Sequence, residues 1–528
     1  MPPSPTASRK GNVSSFLKRY RGPIGAFFRR AWERLWLAAL VVLGCAIYLY
    51  FVSAGGLKDW PVYGSYYDRL SDGFLAGHLN IPVAIAPELL AAKNPYDSIN
   101  SAHWWGDASY YKGKYYIYWG PLPALLQAAA KSLLDIRHAI GDLYVALFFL
   151  CLGVLFGAQL VERVARRLFG SVSRPLVALG ILTLVLSNPT LHAVTTTGTY
   201  HVAIVSAQTC LLGGLVAAFD VVWRSASPGD RRVKLMLAGL GFGLALACRV
   251  TVAPAVAIFC VATVLADAWC SERRFSKLLA SSVWLGAPLL VISGALLYYN
   301  KLRFESWFEF GMTFQTTSVP AFRLSAEYAW PNLYSYMLRP PFLSCQFPYV
   351  FQVWVMGADD AFPHNFQLPK DYMILEPVIG WLRAVPITWL IPFGFLLAPR
   401  PLSFRERNTR AYLWCLIVFS AFATATGLVG ITLYGATMRY LNDITFGLVL
   451  VSLLGGYALK VHRLGRRAPR VTTALFSSLA IASIVLGMLI GYQGYNWHFS
   501  KHNPALDAVI VKRLSVCDGP AVLPRYHP

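Results

Sequence analysis

The sequence predicts an all-α polytopic membrane protein, with about eleven transmembrane helices and two long outer loops that carry juxtamembrane helices. Three observations predict it. Of 528 residues, 56% are hydrophobic and only 14% charged, where a soluble domain carries nearer a quarter charged. The apolar residues come in blocks of about 20, the length that crosses a bilayer core of about 30 Å. Inside lipid such blocks must be helices, because only a helix satisfies its own backbone hydrogen bonds. The basic residues gather in alternate connecting segments, as the positive-inside rule requires.

The elements follow in order. A basic N-terminus, residues 1–34, precedes the first span at 35–54. Its basic stretch is long and the apolar block lacks a small-x-small cleavage pattern, so it reads as an anchor rather than a cleavable signal. The first outer loop is 55–140. Spans follow within 141–299, near Gly141–Val161, Pro175–Ser187, Thr199–Val221, Leu235–Ala247, Val250–Trp269 and Leu278–Tyr299. A second outer loop occupies 300–376. Further spans lie within 377–492, near Pro377–Leu397, Ala411–Leu433, Leu441–Lys460 and Val471–Tyr492, and 493–528 is an outer tail. Pro175, Pro254 and Pro377 sit near helix starts, where proline costs least.

With a cytoplasmic N-terminus, the inner segments hold 28 of the 47 Lys and Arg, while loop 55–140 is balanced at seven basic and seven acidic residues. The net charge of +22 is therefore mainly a topology signal. It also suits anionic lipid, as at Arg29, Arg30 and Arg34 beside the first span. Nucleic-acid binding is not expected, because the charge is divided among short loops. The apolar run Ile117–Leu134, with Pro121 and Pro123, reads as an amphipathic or re-entrant segment at the outer surface; counting it as a span would put Arg163–Arg174 outside. The nine cysteines lie mainly in spans and show no zinc spacing. Cys345 and Cys517 both fall outside; a disulfide is open to them, but two separate thiols are the expectation. The Asp359–His364 stretch is expected to be accessible from outside.

Candidate chemistry sits in the two outer loops. Read as a helix, Tyr66, Leu70 and Phe74 make one apolar stripe, and Asp68 and Asp72 project together from another face. Such a pair can supply a general base for a hydroxyl nucleophile, or be two solvated acids. Downstream runs Asp107-Ala-Ser-Tyr-Tyr-Lys-Gly-Lys-Tyr-Tyr-Ile-Tyr-Trp119. Its aromatic faces (Tyr116, Tyr118, Trp119) suit sugar rings or isoprenoid chains, or anchor the loop at the interface. Lys112 and Lys114 can meet phosphate. Arg249 and Arg439, the latter beside Tyr440, sit at outer helix mouths. Arginine there suits phosphate, or it snorkels, or Arg439 pairs with Asp443 at i,i+4. His103, His192 and His201 have no paired ligand spacing and read as structural. No metal site or cofactor is expected, with a divalent metal left open.

A short basic N-terminus, one span, and a long outer loop with acids on a juxtamembrane helix together resemble the C-type glycosyltransferase superfamily. That superfamily includes protein O-mannosyltransferases and the enzymes that add aminoarabinose or galacturonic acid to lipid A and core oligosaccharide. Four blocks look like those of a bacterial branch: Asp72-Gly-Phe-Leu-Ala-Gly-His-Leu79, Tyr115-Tyr-Ile-Tyr-Trp-Gly-Pro-Leu-Pro-Ala124, Tyr299-Asn-Lys-Leu-Arg-Phe-Glu-Ser-Trp-Phe-Glu-Phe-Gly311 and Met438-Arg-Tyr-Leu-Asn-Asp443. The resemblance implies an inverting transfer of sugar from a polyprenyl-phosphate donor to an envelope glycan, lipid or protein hydroxyl, at the outer face of a bacterial inner membrane. It implies Asp72 as base, with Asp68 second. Arg439, Tyr440, Arg249 and Lys114 would hold the donor phosphate. Asp107, Tyr116, Tyr118, Trp119 and Glu309 would contact substrate. One departure is plain: many members carry adjacent Asp-Glu near the start of the helix, where this chain has Val62-Tyr-Gly-Ser-Tyr-Tyr67. A lipid or glycan transporter, or a polysaccharide polymerase or ligase, is the competing expectation.

Overall fold

The computed structural model describes residues 23–57, 65–187, 189–195, 198–223, 227–269, 274–317, 324–352, 362–363, 367–374, 376–398, 406–462, 468–494 and 497–517. Of the Asp359–His364 stretch only Phe362 and Pro363 are among them, and of Val62–Tyr67 only Ser65, Tyr66 and Tyr67. The chain is a multi-pass α-helical membrane protein. Its principal helices are α1 (Pro23–Val52), α2 (Tyr66–Leu75), α3 (Leu122–Leu134), α4 (Asp142–Leu168), α5 (Arg174–Leu186), α6 (Thr199–Trp223), α7 (Pro228–Cys248), α8 (Ala253–Ala268), α9 (Arg274–Phe304), α10 (Ala329–Met337), α11 (Arg407–Thr432), α12 (Met438–Val461), α13 (Ala468–Gln493) and α14 (Pro504–Leu514).

Eight helical segments among the described residues are long and apolar enough to cross a membrane. Three of the eleven expected spans are different. α5 has 13 residues. α7 is long enough at 21 residues, but its first turns carry Asp230, Arg231, Arg232 and Lys234. The span expected at Pro377–Leu397 is broken into Trp381–Ala384, Pro386–Leu390 and Ile391–Leu396. Pro386 and Pro392 each remove a backbone donor there and bar a continuous helix. The Ile117–Leu134 run becomes the 13-residue α3, about 20 Å long and too short to cross. It exposes Leu125, Leu126, Leu133 and Leu134 while burying Gln127 and Lys131.

α6 lies at the centre of the bundle, against α4 and α7; α7 also packs on α9, and α11 on α12. Gly239 on α7 meets the Leu285 backbone of α9 so closely that no Cβ fits. At the basic ends of these helices, Asp220 is paired with Arg163 at 2.8 Å and Arg167 at 2.6 Å, and Asp267 is paired with Arg231. Part of the basic surplus therefore holds helices together.

The long segments between the spans are tied to one another by strands. β1 (Ala108–Tyr111) and β2 (Lys114–Tyr116) form a hairpin, and β3 (Gln315–Thr316) of the second loop pairs with β1. β4 (Phe342–Leu343) pairs with β5 (Val350–Phe351), and β6 (Met373–Ile374) runs parallel to β7 (Gly435–Ala436). Cys345 and Cys517 are not separate thiols: they form a disulfide. The tail leads α14 back along the second loop, where Val516 N–H donates to Cys345 O at 2.9 Å and Phe347 N–H to Ser515 Oγ at 3.1 Å. Those contacts bring the two Cα atoms to 5.7 Å.

Candidate functional site

The carboxylate pair on α2 has a shared partner. Asp68 is buried, with its side chain 4% exposed, and its Oδ1 meets Lys131 Nζ at 2.7 Å. The same oxygen accepts from Gln127 Nε2 at 3.1 Å and from Ile140 N–H at 2.8 Å. Asp68 thus pins α2 to α3 and to the chain entering α4. Asp72 is half exposed and also bound to Lys131, at 2.6 Å. Burial works against the lysine charge, but the hydrogen bonds to Asp68 and Asp72 outweigh it and raise the lysine pKa. Asp68→Asn should therefore destabilise the fold by about 3 kcal/mol, the low end for breaking a buried pair, because Lys131 keeps Asp72. Thermal unfolding of the purified chain measures this, and an unchanged midpoint would show that the pin is dispensable.

A second constellation gathers residues from both loops and three helices. The β1–β2 hairpin turns at Lys112 and Gly113, both at positive φ. Asp107, just before β1, is also left-handed, at φ 56°, a conformation aspartate tolerates better than most residues; its N–H donates to Thr316 O of β3. After β2, Gly120 is pressed against the Ala247–Cys248 backbone at the end of α7, where a Cβ has no room, and its N–H donates to Cys248 O at 3.0 Å. This contact fixes Tyr118 and Trp119 at the N-terminal end of α6. Tyr118 Oη donates to Tyr200 Oη at 2.8 Å and accepts from Gln315 Nε2 at 3.0 Å. Trp119 meets Tyr200 edge-on with centroids 4.7 Å apart. Tyr66 stacks on Trp105 at 4.4 Å and stands edge-on to Trp119 at 6.0 Å.

The charges complete the site. The Arg439 guanidinium lies 3.9 Å over the Tyr200 ring, and Asp107 faces the Tyr200 hydroxyl. Asp107 also faces Tyr66, Tyr118 and Tyr434. Burial, then Asp107 and Asp142, push the Tyr66 hydroxyl up to about 12. Burial, then Tyr200 and Asp107, hold Tyr118 well above the usual tyrosine value. Arg249 and Arg439 each lie 5.9 Å from the Tyr440 ring. Asp443 pairs with Arg249, at 2.7 Å, rather than with Arg439. Arg439 pairs with Glu376, at 3.3 Å. Tyr440 also lines an apolar slot of about 210 Å³ between α10, α11 and α12, with Tyr336, Met337, Gly427, Gly430 and Leu448 among its walls.

The structure thus brings together Asp107, Tyr118, Trp119, Arg249, Arg439 and Tyr440. It places the other candidates elsewhere. Tyr116 packs edge-on against Phe304 at 5.2 Å. Lys114 is exposed on the hairpin, and Lys112 pairs with Glu305 at 2.5 Å. Glu309 orders its own turn, accepting from Gly311 N–H at 2.5 Å and Thr313 Oγ1 at 2.7 Å. Among the described residues, no group of three His, Cys, Asp or Glu is placed to hold a metal. Glu376, Tyr200 and Trp105 are residues that sequence reasoning missed, and Tyr66 was read only as part of an apolar stripe. Tyr200 had a signal, an aromatic at an outer helix mouth; Glu376 had none.

No protein-family model and no curated protein matches the chain. Among solved structures it is similar to an oligosaccharyltransferase of Archaeoglobus fulgidus tethered to an acceptor peptide, at 12% identity and TM-score 0.45, covering 88% of this chain and 56% of that one. It is also similar to ArnT of Cupriavidus metallidurans bound to undecaprenyl phosphate, at 13% identity and TM-score 0.45, covering 90% and 80%. The chain spans little more than half the length of the archaeal enzyme, 56%. At such identities and TM-scores these matches assign no family, donor, acceptor or residue role.

Proposed function

We propose that the chain is a glycosyltransferase of a bacterial inner membrane, N-terminus cytoplasmic, which moves a sugar from a polyprenyl-phosphate donor to a hydroxyl acceptor at the outer face. One observation carries the reading. Two guanidinium groups flank Tyr440 at the head of an apolar slot, and a carboxylate, Asp107, lies one tyrosine away from Arg439. An isoprenoid segment fits the slot, a phosphate fits the arginines, and the aromatic wall of Tyr66, Trp105, Trp119 and Tyr118 suits a sugar ring.

In this reading Asp107 takes the proton of the acceptor hydroxyl as its oxygen bonds to the sugar's anomeric carbon. The bond from that carbon to the phosphate oxygen breaks, and polyprenyl phosphate leaves with its charge held by Arg439 and Arg249. A single displacement of this kind inverts the anomeric centre. Asp72, paired with Lys131, serves as the acceptor-side alternative for the base.

Profiling of envelope glycans and lipid-linked sugars in cells with and without the gene tests the reading. The expected result is one sugar lost from a glycan, lipid or protein while its polyprenyl-phosphate form accumulates. An unchanged sugar inventory with an altered transbilayer distribution of the carrier would replace the enzyme by a flippase.

A further inference from the structure

The N-terminus of α12 is an anion site that is already filled. Thr437, its N-cap residue, makes no side-chain cap, so the first amide groups need another acceptor. Glu376 stands there: its carboxylate faces the Arg439 guanidinium at 3.3 Å and interacts with the helix start at Met438 and Arg439. Two backbone donors at the start of a 24-residue helix, together with an arginine, are the usual cradle for a phosphate. The Glu376 side chain is 13% exposed. Its burial raises the carboxyl pKa, against the opposing pull of Arg439 and the two amides.

Local structure explains how the glutamate reaches this place. β6 pairs in parallel with β7 in the register Met373↔Gly435 and Ile374↔Ala436. Two residues past β6, Glu376 arrives over the helix start that lies two residues past β7. The strand pairing is only two residues long. Tyr372, beside it, donates to Asn332 Oδ1 at 2.9 Å. Within the guanidinium, Arg439 Nε is buried and has no acceptor among the described residues. The carboxylate therefore uses the cradle incompletely, and an anion with three oxygens would use it better.

We propose that Glu376 is a resident anion in the lipid-phosphate site, displaced when the donor phosphate binds and returned when the phosphate product leaves. The proposal rests on the phosphate-binding reading of Arg439 given above. The exchange has a purpose. With its carboxylate in place, the empty site keeps its buried cation compensated. When transfer is complete, the same carboxylate competes with the spent carrier and speeds its release. The cost is self-competition, which lowers the apparent affinity for the carrier by the fraction of time the cradle is free.

The test uses the full chain in lipid nanodiscs and a fluorescent short-chain polyprenyl monophosphate, with the matching polyprenol as uncharged control. Glu376→Gln keeps an acceptor for the amides and removes the charge. It should bind the phosphate about tenfold tighter, leave the polyprenol unchanged, and lower KM and kcat together because release slows. Phosphate affinity that is unchanged or weaker in folded Glu376→Gln overturns the proposal. Arg439→Lys in the same assay separates this failure from failure of the site itself. Weaker binding in Arg439→Lys with no gain in Glu376→Gln refutes the exchange alone, while no change in either removes the phosphate site. Hydrogen exchange on the unmodified chain gives a second arm that needs no variant. Added phosphate should expose the amides of residues 372–374 and keep those of Met438 and Arg439 protected. Increased protection at 372–374 would show that the glutamate stays in place, and the proposal falls.

Discussion

Asp107→Asn is expected to lower sugar transfer by about 10²–10⁴-fold, the usual contribution of a positioned general base, with expression and carrier binding retained. A sugar hydroxyl is a weak nucleophile at neutral pH. The departing phosphate needs little acid help, so the proton acceptor is the group whose loss costs most. Asn keeps the shape and the hydrogen-bonding reach toward Tyr200, so the outer face should fold normally. Asp72→Asn should cost much less, because that carboxylate is already engaged by Lys131. Single-turnover transfer from a purified lipid-linked sugar measures both. If Asp72→Asn is silent in transfer and Asp107→Asn is active, the base belongs to α2. If the double variant turns over at full rate, neither acid takes part and the proposed chemistry is wrong.

The second large effect is expected at Arg439. Arg439→Lys keeps a charge opposite Glu376 and over Tyr200 but loses the planar fork that can grip two phosphate oxygens. A hydrogen bond to a charged group is worth about 1.5–3 kcal/mol, so losing one strand of the fork should weaken carrier affinity by about tenfold to hundredfold. Arg249→Lys should do less, since Asp443 fixes that side chain at 2.7 Å and leaves it fewer free donors. Titration with a polyprenyl phosphate distinguishes the two. Undiminished affinity in Arg439→Lys would make the arginine an anchor of the helix mouth and nothing more.

The helices were legible because lipid forces each apolar block to close its own backbone, so composition and length suffice. The exceptions were also physical. Pro386 and Pro392 break an apolar block that hydropathy alone reads as continuous. The i,i+4 spacing correctly put Asp68 and Asp72 close enough to share a partner, but that partner, Lys131, lies 59 residues beyond Asp72. No local pattern could name it. Arg249 and Arg439 were legible as costly charges at helix mouths, and Tyr440 as the neighbour of the second. Their partners were not: Asp443 went to Arg249, 194 residues away, and Glu376 to Arg439. The disulfide joins residues 172 apart, a separation at which spacing says nothing about contact. In each case one half of an interaction was visible as a residue type out of place, and the other half was set by tertiary packing.

The pairing of β3 with β1 joins Thr316 to Ala108 across 208 residues. A ribosome adds about 5–20 residues per second, so the hairpin is made some tens of seconds before its third strand exists. Throughout that interval the hairpin's aromatic residues stand beside an open strand edge, with neither Arg439 nor Glu376 yet made. The nascent chain can offer a surface to sugars but has nothing with which to hold a phosphate. Such a half-made chain lacks the proposed phosphate site, and its open strand edge can template pairing with another chain until the second loop arrives.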